Sequence, residues 1–196
     1  TRRRHAIQHG KPILSMSASF QTPDHGMDHQ DPMPDAPDPM SVPSLADVFA
    51  DVDHPGARHL SQDRAIELRH VEGNLFVAPA TERVADQRVW MRAIGELPED
   101  PLVHEAVMAY ASDCSLLESI LRRHGKGWRT PGLRAASLDH AMWFHRPFRA
   151  DEWLLYDLES PSAYGSRGFS LGRIFTRDGR LAVSVAQEGL IRPRRK

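Results

Sequence analysis

The chain has 196 residues, a length that suits one domain or one domain plus a fragment, with a sizeable core. Its formal net charge is -1, from 25 basic and 26 acidic residues, which argues against a dominant role in binding nucleic acid or anionic membranes. The sequence has a single cysteine, Cys114, so we expect no internal disulfide and no cysteine-based zinc site. It has no apolar run near the ~18 residues of a membrane span and no signal-peptide pattern, so we expect a cytoplasmic protein.

Residues 1–20 are predicted to form a strand hairpin. The second arm alternates apolar side chains with serines, the pattern of a half-buried strand, and His9-Gly10-Lys11 supplies the turn. Two strands alone are only marginally stable in water. We therefore expect this hairpin to lean on another element.

Residues 21–60 are predicted to be a linker rich in proline and aspartate. The stretch holds seven of the 15 prolines, a composition that buries too little apolar surface to offset the entropy of ordering. We expect one short helix, from Ser44 to Ala50, with Ser44 as its cap. A metal site is the alternative interpretation, but no ligand spacing recurs and we expect no metal; the histidines concerned are His25, His29, His54 and His59.

Residues 61–193 show the pattern of an α+β domain. Pro101 suits the first turn of one long helix that continues to Gly125, with helical spacing of Leu102, Ala106, Ala109, Asp113, Leu116 and Ile120. Strands are expected on both sides of it, at 65–71, 87–94, 135–145, 153–160 and in a hairpin at 169–187 that turns on Asp178-Gly179. This order favours a long antiparallel sheet wrapped on one main helix.

Three polar residues fall on lines that should be apolar. Asp113 interrupts the helix stripe, Ser137 lies on the strand predicted at 135–145, and Gln187 continues the apolar face of the last strand. If the helix packs on the sheet, the three side chains point into one layer and can meet. A carboxylate, a hydroxyl and an amide can together hold one water, with Asp113 accepting its proton. The structural alternative is that Asp113 caps, pairs with an arginine or is exposed, and that Gln187 has no catalytic role.

Other nucleophile and base candidates have weaker support. Cys114 lies beside Asp113, but with no matching histidine in view we interpret it as a small buried thiol. His140 and His145 fit neither a Ser-His-Asp pattern nor a metal pattern, so we expect them to be core or rim histidines.

Four ordered blocks of sequence carry a resemblance to a known family. They are YASDCSLL at 110–117, ASLDHAMWFHRPF at 136–148, EWLLYDLESPSA at 152–163 and SVAQEGLIR at 184–192. Together they resemble the second half of acyl-CoA thioesterase II, a double hot-dog enzyme. The front of the chain, IQHGKPILSMSASFQ, is similar to the last two strands of that family's first hot-dog unit.

The resemblance implies a fold, a reaction and three residue roles. It implies an α+β hot-dog domain over 61–193, a linker over 21–60 and, over 1–20, a hairpin left from a first unit. It implies hydrolysis of acyl-CoA without metal or cofactor, in which Asp113 activates water and Ser137 and Gln187 orient it. Members with threonine at the hydroxyl position differ from Ser137 by one methyl group, so we expect weaker rotamer control but retained chemistry.

Most of the family's first unit has no counterpart in this sequence, so we expect pairing with a second copy as a homo-oligomer, through an exposed sheet edge.

Two alternatives to hydrolysis stay open. A non-catalytic acyl-CoA binder, or an inactive truncated protein, is the first alternative function. The second is a hot-dog hydratase, which normally places an aspartate and a histidine near the central helix; His104 is nine residues from Asp113 and does not form that signature.

Overall fold

A computed structural model describes residues 1–22, 24–50 and 64–193 of the chain. The predicted N-terminal hairpin is present as two antiparallel strands, β1 (Arg2–Gln8) and β2 (Lys11–Ala18), which form a separate sheet. Its residues are nearly all exposed, so the expectation that the hairpin is half-buried against another element is wrong for the described residues. The predicted short helix is also present, as α1 (Leu45–Val48). Its cap is Ser44, whose side chain accepts a hydrogen bond from the backbone N–H of Asp47 at 3.2 Å.

The central sheet is antiparallel throughout and contains seven strands. These strands are β3 (Ile66–His70), β4 (Asp86–Ala93), β5 (Leu133–Ser137), β6 (Ala141–Phe144), β7 (Leu154–Tyr164), β8 (Arg167–Thr176) and β9 (Leu181–Pro193). Their order is β3-β4-β7-β8-β9-β5, and β6 pairs with another part of β9. The α+β arrangement predicted from the sequence is therefore confirmed.

The strand predicted at 135–145 is interrupted, and its prediction as one strand is wrong. Ser137 at the end of β5 lies opposite Gly189, whereas Ala141 at the start of β6 lies opposite Ala186. Three residues of this segment, 138–140, thus face only two of β9, 187–188. The extra residue forms a bulge, which re-aims the side chains that follow it.

The prediction of one helix from Pro101 to Gly125 is also wrong. Two helices cover this stretch, α2 (Pro101–Ser112) and α3 (Glu118–Arg123), with a turn between them. Ser112 Oγ lies 3.3 Å from the Ala109 carbonyl oxygen, the acceptor that a continuing helix would pair with the N–H of Asp113. Because the helical register is broken, Leu102 on the predicted apolar stripe is 57% exposed, while Met108 and Ala111 supply the buried side of α2.

Glycines in the sheet make room for α3 and the turn before it. A Cβ at Gly168 of β8 would lie 2.6 Å from a methyl carbon of Ile120, and one at Gly189 of β9 would lie 2.5 Å from a methyl carbon of Leu117. Both apolar side chains are buried. The sheet can therefore approach this part of the helical layer only where it has no side chain.

The carboxylate of Glu118, at the start of α3, is fully buried in a polar cluster. It accepts hydrogen bonds from Trp128 Nε1 at 2.8 Å and from the Gln87 amide, and it lies 3.2 Å from His70 Nε2 at an angle outside hydrogen-bond geometry. Burial by itself would raise the pKa of Glu118, but His70, Trp128 and Gln87 together hold that pKa below its usual value. The cluster ties α3 to β3 and β4.

The proline- and aspartate-rich segment packs against the outer face of the sheet over residues that we call the strap, 28–42, whereas Leu45 and Phe49 beyond it belong to the helix-facing core. Alternation along β4 and β7 sends Met91 and Leu154 into the helix-facing core and Trp90 and Leu155 to the outer face. Val42 of the strap packs in the outer cluster and is 5% exposed. The expectation that this segment buries little apolar surface is therefore wrong.

Arginines of the sheet layer hold the strap by ion pairs and backbone contacts. Arg173 lies 3.3 Å from Asp31, Arg177 lies 2.6 Å from Asp38, and Arg146 pairs with Asp28. Trp90 Nε1 donates to the Pro37 carbonyl at 2.9 Å. These contacts explain how a polar, proline-rich stretch keeps one path across the sheet.

Within the described residues, no helix is long and apolar enough to cross a membrane.

Candidate active site

The structure brings Asp113, Ser137 and Gln187 together from three separate segments. The Ser137 hydroxyl donates to Asp113 Oδ1 at 2.8 Å. Gln187 Nε2 donates to the same Oδ1 and to Ser137 Oγ, both at 2.9 Å. Each of the three side chains is thus hydrogen-bonded to the other two.

Each side chain of this trio is placed by the end or the pairing of its element. Asp113 is the C-terminal cap of α2, and Ser137 is the last residue of β5. Gln187 lies within β9, opposite Ser170 of β8. The side chains meet where the helix end faces the gap between β5 and β6.

The expectation that all three residues point into a packed layer is wrong for two of them. Gln187 has no exposed surface, but Asp113 and Ser137 are exposed. The reason is the break in the helix, which places the carboxylate at a helix end and not on the packed side. The trio therefore has a buried amide and a carboxylate and hydroxyl open to solvent.

The hydrogen bonds leave one carboxylate oxygen of Asp113 available. An ionised carboxylate only accepts hydrogen bonds, and both bonds from Ser137 and Gln187 go to Oδ1. Across the described part of the chain, no side chain or backbone group donates to Oδ2. An acceptor oxygen held in a fixed orientation beside solvent is the chemical requirement for a general base.

His140 is a fourth member of this site that the sequence reasoning missed. Its Nδ1 is hydrogen-bonded to Gln187 Oε1, and its Nε2 lies 2.8 Å from Ser112 Oγ. In a regular strand, His140 and Ser137 would lie on opposite faces. The bulge at 138–140 removes that alternation, so both residues reach Gln187.

The backbone at the end of α2 is anchored from the core. Tyr156 Oη donates to the Ser112 carbonyl at 3.2 Å, immediately before Asp113. Burial, with smaller effects of Asp113 and Cys114, raises the pKa of Tyr156 well above its usual value, so its hydroxyl remains a donor at neutral pH. This bond fixes the helix end that carries the carboxylate.

The remaining candidates from the sequence lie outside the trio. Burial raises the pKa of the Cys114 thiol, although Arg64 opposes this effect, and Sγ contacts the Tyr110 carbonyl at 3.8 Å. A protonated thiol of this kind is a poor nucleophile. His145 Nε2 lies 2.9 Å from Ser184 Oγ, and His104 Nδ1 accepts from the Ala150 N–H at 3.0 Å.

The described residues give no support to a metal site. Among the described residues, no group of three or more histidine, cysteine, aspartate or glutamate side chains has an arrangement that could hold a metal ion. Two of the four linker histidines, His54 and His59, lie outside the described residues.

Comparison with known proteins identifies relatives of the chain. A sequence model of the acyl-CoA thioesterase family matches residues 57–190. Acyl-CoA thioesterase 2 of Haemophilus influenzae is 37% identical over 192 residues, which cover 95% of this chain and 66% of that protein. Human acyl-coenzyme A thioesterase 8 is 40% identical over 199 residues, which cover 95% of this chain and 61% of that protein. The chain therefore spans 61–66% of the length of these two relatives.

Solved structures agree with the sequence matches. The acyl-CoA thioesterase II TesB2 from Mycobacterium marinum superposes with a TM-score of 0.74 at 43% identity, covering 97% of this chain and 67% of that one. A protein of unknown function with a hot dog fold from Alicyclobacillus acidocaldarius gives a TM-score of 0.63 at 16% identity, covering 95% of this chain and 64% of that one, which bears on the fold alone. The chain therefore has a hot-dog fold and belongs to the acyl-CoA thioesterase II family.

Proposed function

We propose that this chain hydrolyses acyl-CoA thioesters to a free fatty acid and CoA, with Asp113, Ser137 and Gln187 as its catalytic residues. The observation that carries the proposal is the mutual hydrogen bonding of a carboxylate, a hydroxyl and an amide, with no described residue donating to Asp113 Oδ2. The names of the relatives, acyl-CoA thioesterase, supply the reaction class.

In the proposed mechanism, Asp113 Oδ2 accepts a proton from a water molecule as the water oxygen attacks the thioester carbonyl carbon. The C–S bond then breaks, and the proton passes from Asp113 to the departing CoA sulfur. A backbone N–H polarises the carbonyl oxygen during the attack. Water, thioester, acid and thiol balance without a metal or cofactor.

Ser137 and Gln187 have different tasks in this proposal. Both N–H bonds of the Gln187 amide are used, one to Asp113 and one to Ser137, so Gln187 fixes these two groups relative to each other. Ser137 Oγ donates to Asp113 and accepts from Gln187, which leaves one lone pair for the second hydrogen of the water. The water is thereby oriented by two oxygens on neighbouring residues.

We also propose that a second hot-dog unit pairs beside this site, supplied by another copy of the chain. Apolar side chains around the site support this idea, because Tyr110 is 64%, Leu138 52% and Trp143 53% exposed. In the same proposal residues 1–20 belong to a first hot-dog unit, 21–60 connect the units, and 61–193 form the second. A cytoplasmic location fits the single cysteine.

The test is release of free thiol from palmitoyl-CoA by the purified chain, measured with a thiol reagent. Asp113→Asn keeps the shape of the side chain and removes the base, so kcat should fall by about 100-fold or more. Glu105→Gln, a carboxylate on the same helix but outside the trio, is the matched control and should keep normal turnover. Normal turnover in Asp113→Asn would refute the assigned base. Thermal stabilisation by palmitoyl-CoA with no thiol release would instead identify a non-catalytic binder.

A further inference from the structure

His140 makes two hydrogen bonds that the proposed mechanism does not use. Its Nδ1 faces Gln187 Oε1, and its Nε2 faces Ser112 Oγ at 2.8 Å. One partner is a member of the trio and the other precedes Asp113 in the sequence. The imidazole ring therefore bridges the two segments that carry the buried amide and the carboxylate.

The chemistry of these groups fixes the direction of the hydrogen bonds that the Gln187 amide makes. The Asp113 carboxylate only accepts, so Gln187 must turn its Nε2 toward Asp113 and its Oε1 toward the histidine. An amide oxygen also only accepts, so the proton between His140 and Gln187 resides on Nδ1. A neutral ring then accepts from the Ser112 hydroxyl at Nε2.

The bulge between β5 and β6 aims this ring at the glutamine. The N–H of Glu188 donates to Asp139 Oδ1 at 2.7 Å, and the carbonyl of Glu188 accepts from the Leu138 N–H at 2.9 Å. The two residues that precede His140 are thus both held by the backbone of Glu188 in β9. Without the extra residue of the bulge, the His140 ring would point to the opposite face of the sheet from Ser137.

We infer that His140 is a positioning residue, which holds Gln187 through an Nδ1–H tautomer so that its amide N–H groups face Asp113 and Ser137. The inference rests on the proposed function for its effect on catalysis, but the tautomer and the amide orientation can be measured without activity. A ring that only filled space would need neither the tautomer nor the link to Gln187.

The first experiment is NMR of the full chain labelled with nitrogen-15. Long-range proton–nitrogen spectra should show His140 as the Nδ1–H tautomer, and the Gln187 side-chain amide should have two dispersed signals, assigned by their loss in Gln187→Ala. In His140→Leu these two signals should move toward the values of a solvent-exposed amide. In His140→Asn they should stay dispersed, because the asparagine amide nitrogen occupies about the place of Nδ1 and still donates. An Nε2–H tautomer in the native chain, or unchanged Gln187 signals in His140→Leu, would overturn the inference.

The second experiment measures thiol release from palmitoyl-CoA. His140→Leu should lower kcat by about 10- to 100-fold, the size of effect typical when an orienting partner of a functional group is lost, with little change in KM or melting temperature. His140→Asn should recover part of that loss. His145→Leu, on the same motif but bonded to Ser184 outside the network, is the matched control and should retain turnover.

A double-mutant cycle separates positioning from a general structural effect. If His140 acts through Gln187, adding His140→Leu to Gln187→Ala should cause no further loss. Independent, additive losses would refute the inference. If the native chain and Gln187→Ala both fail to release thiol, the proposed function fails, and the NMR result alone decides whether His140 orients the amide.

Discussion

Ser137→Ala isolates the contribution of the hydroxyl to the proposed reaction. The substitution removes a charge-assisted hydrogen bond to Asp113 Oδ1 at 2.8 Å and a neutral one from Gln187 Nε2 at 2.9 Å. Bonds of these two kinds contribute about 1.5–3 and about 0.5–1.5 kcal/mol respectively. Their combined loss is therefore about 2–4.5 kcal/mol if both are fully required in the transition state.

That energy corresponds to a loss in kcat of about 30- to 2,000-fold. Folding stability should change by less than about 1 kcal/mol, because Ser137 is exposed and water can replace its hydroxyl in the free protein. Turnover is measured as thiol release from palmitoyl-CoA under saturating substrate, and stability as urea unfolding of the same samples.

Ser137→Thr is the matched control, since it keeps the oxygen and adds a methyl group that restricts χ1. Turnover in Ser137→Thr should equal or exceed that of the native chain. A loss of less than threefold in Ser137→Ala, by contrast, would refute the idea that this hydroxyl helps to orient the attacking water.

Three further predictions concern the site and the stability of the fold. Gln187→Glu replaces the amide donor by a second carboxylate facing Asp113 Oδ1, so thiol release should be lost at neutral pH. Release should partly return at lower pH, where the new carboxyl group is protonated and can donate. An unchanged rate at pH 7 would contradict the hydrogen-bond directions. Gly189→Ala brings a methyl group to 2.5 Å from Leu117 and should lower the unfolding free energy in urea by about 1–3 kcal/mol, whereas no loss would show that Leu117 can move aside. Because the folded-state pKa of Glu118 lies below its ordinary 4.5, its ionisation stabilises the fold fully above about pH 4.5, and this contribution is lost as the pH falls through the folded-state pKa. The stability difference between the native chain and Glu118→Gln should therefore change in favour of Glu118→Gln as the pH falls below 4.5. Parallel pH profiles below pH 4.5 would contradict an ionised Glu118 in the folded protein.

The sheet was predictable from local patterns, and its interruptions were not. Alternation and the Asp178-Gly179 turn located β8 and β9, and the proline and aspartate at Pro101 and Asp100 located the start of α2. The break after Ser112 lies where Ser112 Oγ approaches the Ala109 carbonyl, and it depends on how the next turn packs. A periodicity argument that assumes one continuous helix therefore assigned Leu102 to the wrong side.

Residues of the candidate site were predicted as polar interruptions of apolar lines, although only Gln187 lies on a buried line in the structure. Asp113, Ser137 and Gln187 were found in this way, and the resemblance to a known family selected the same three. His140 was not found, because period-two alternation separates it from Ser137 unless one residue is added to the strand. The signal that could have revealed this addition is Asp139, a short carboxylate in mid-strand that accepts the Glu188 N–H.

The strap has a consequence for how this protein can associate with others. The strap covers Trp90 and Trp153 on the outer face of the sheet, where they are only 3% and 7% exposed, and it presents polar side chains to solvent in their place. Face-to-face stacking of two such sheets would require the strap to peel away and its aspartates to leave their arginines. We therefore expect a second copy to pair through the rim of the sheet or through the side that carries Asp113.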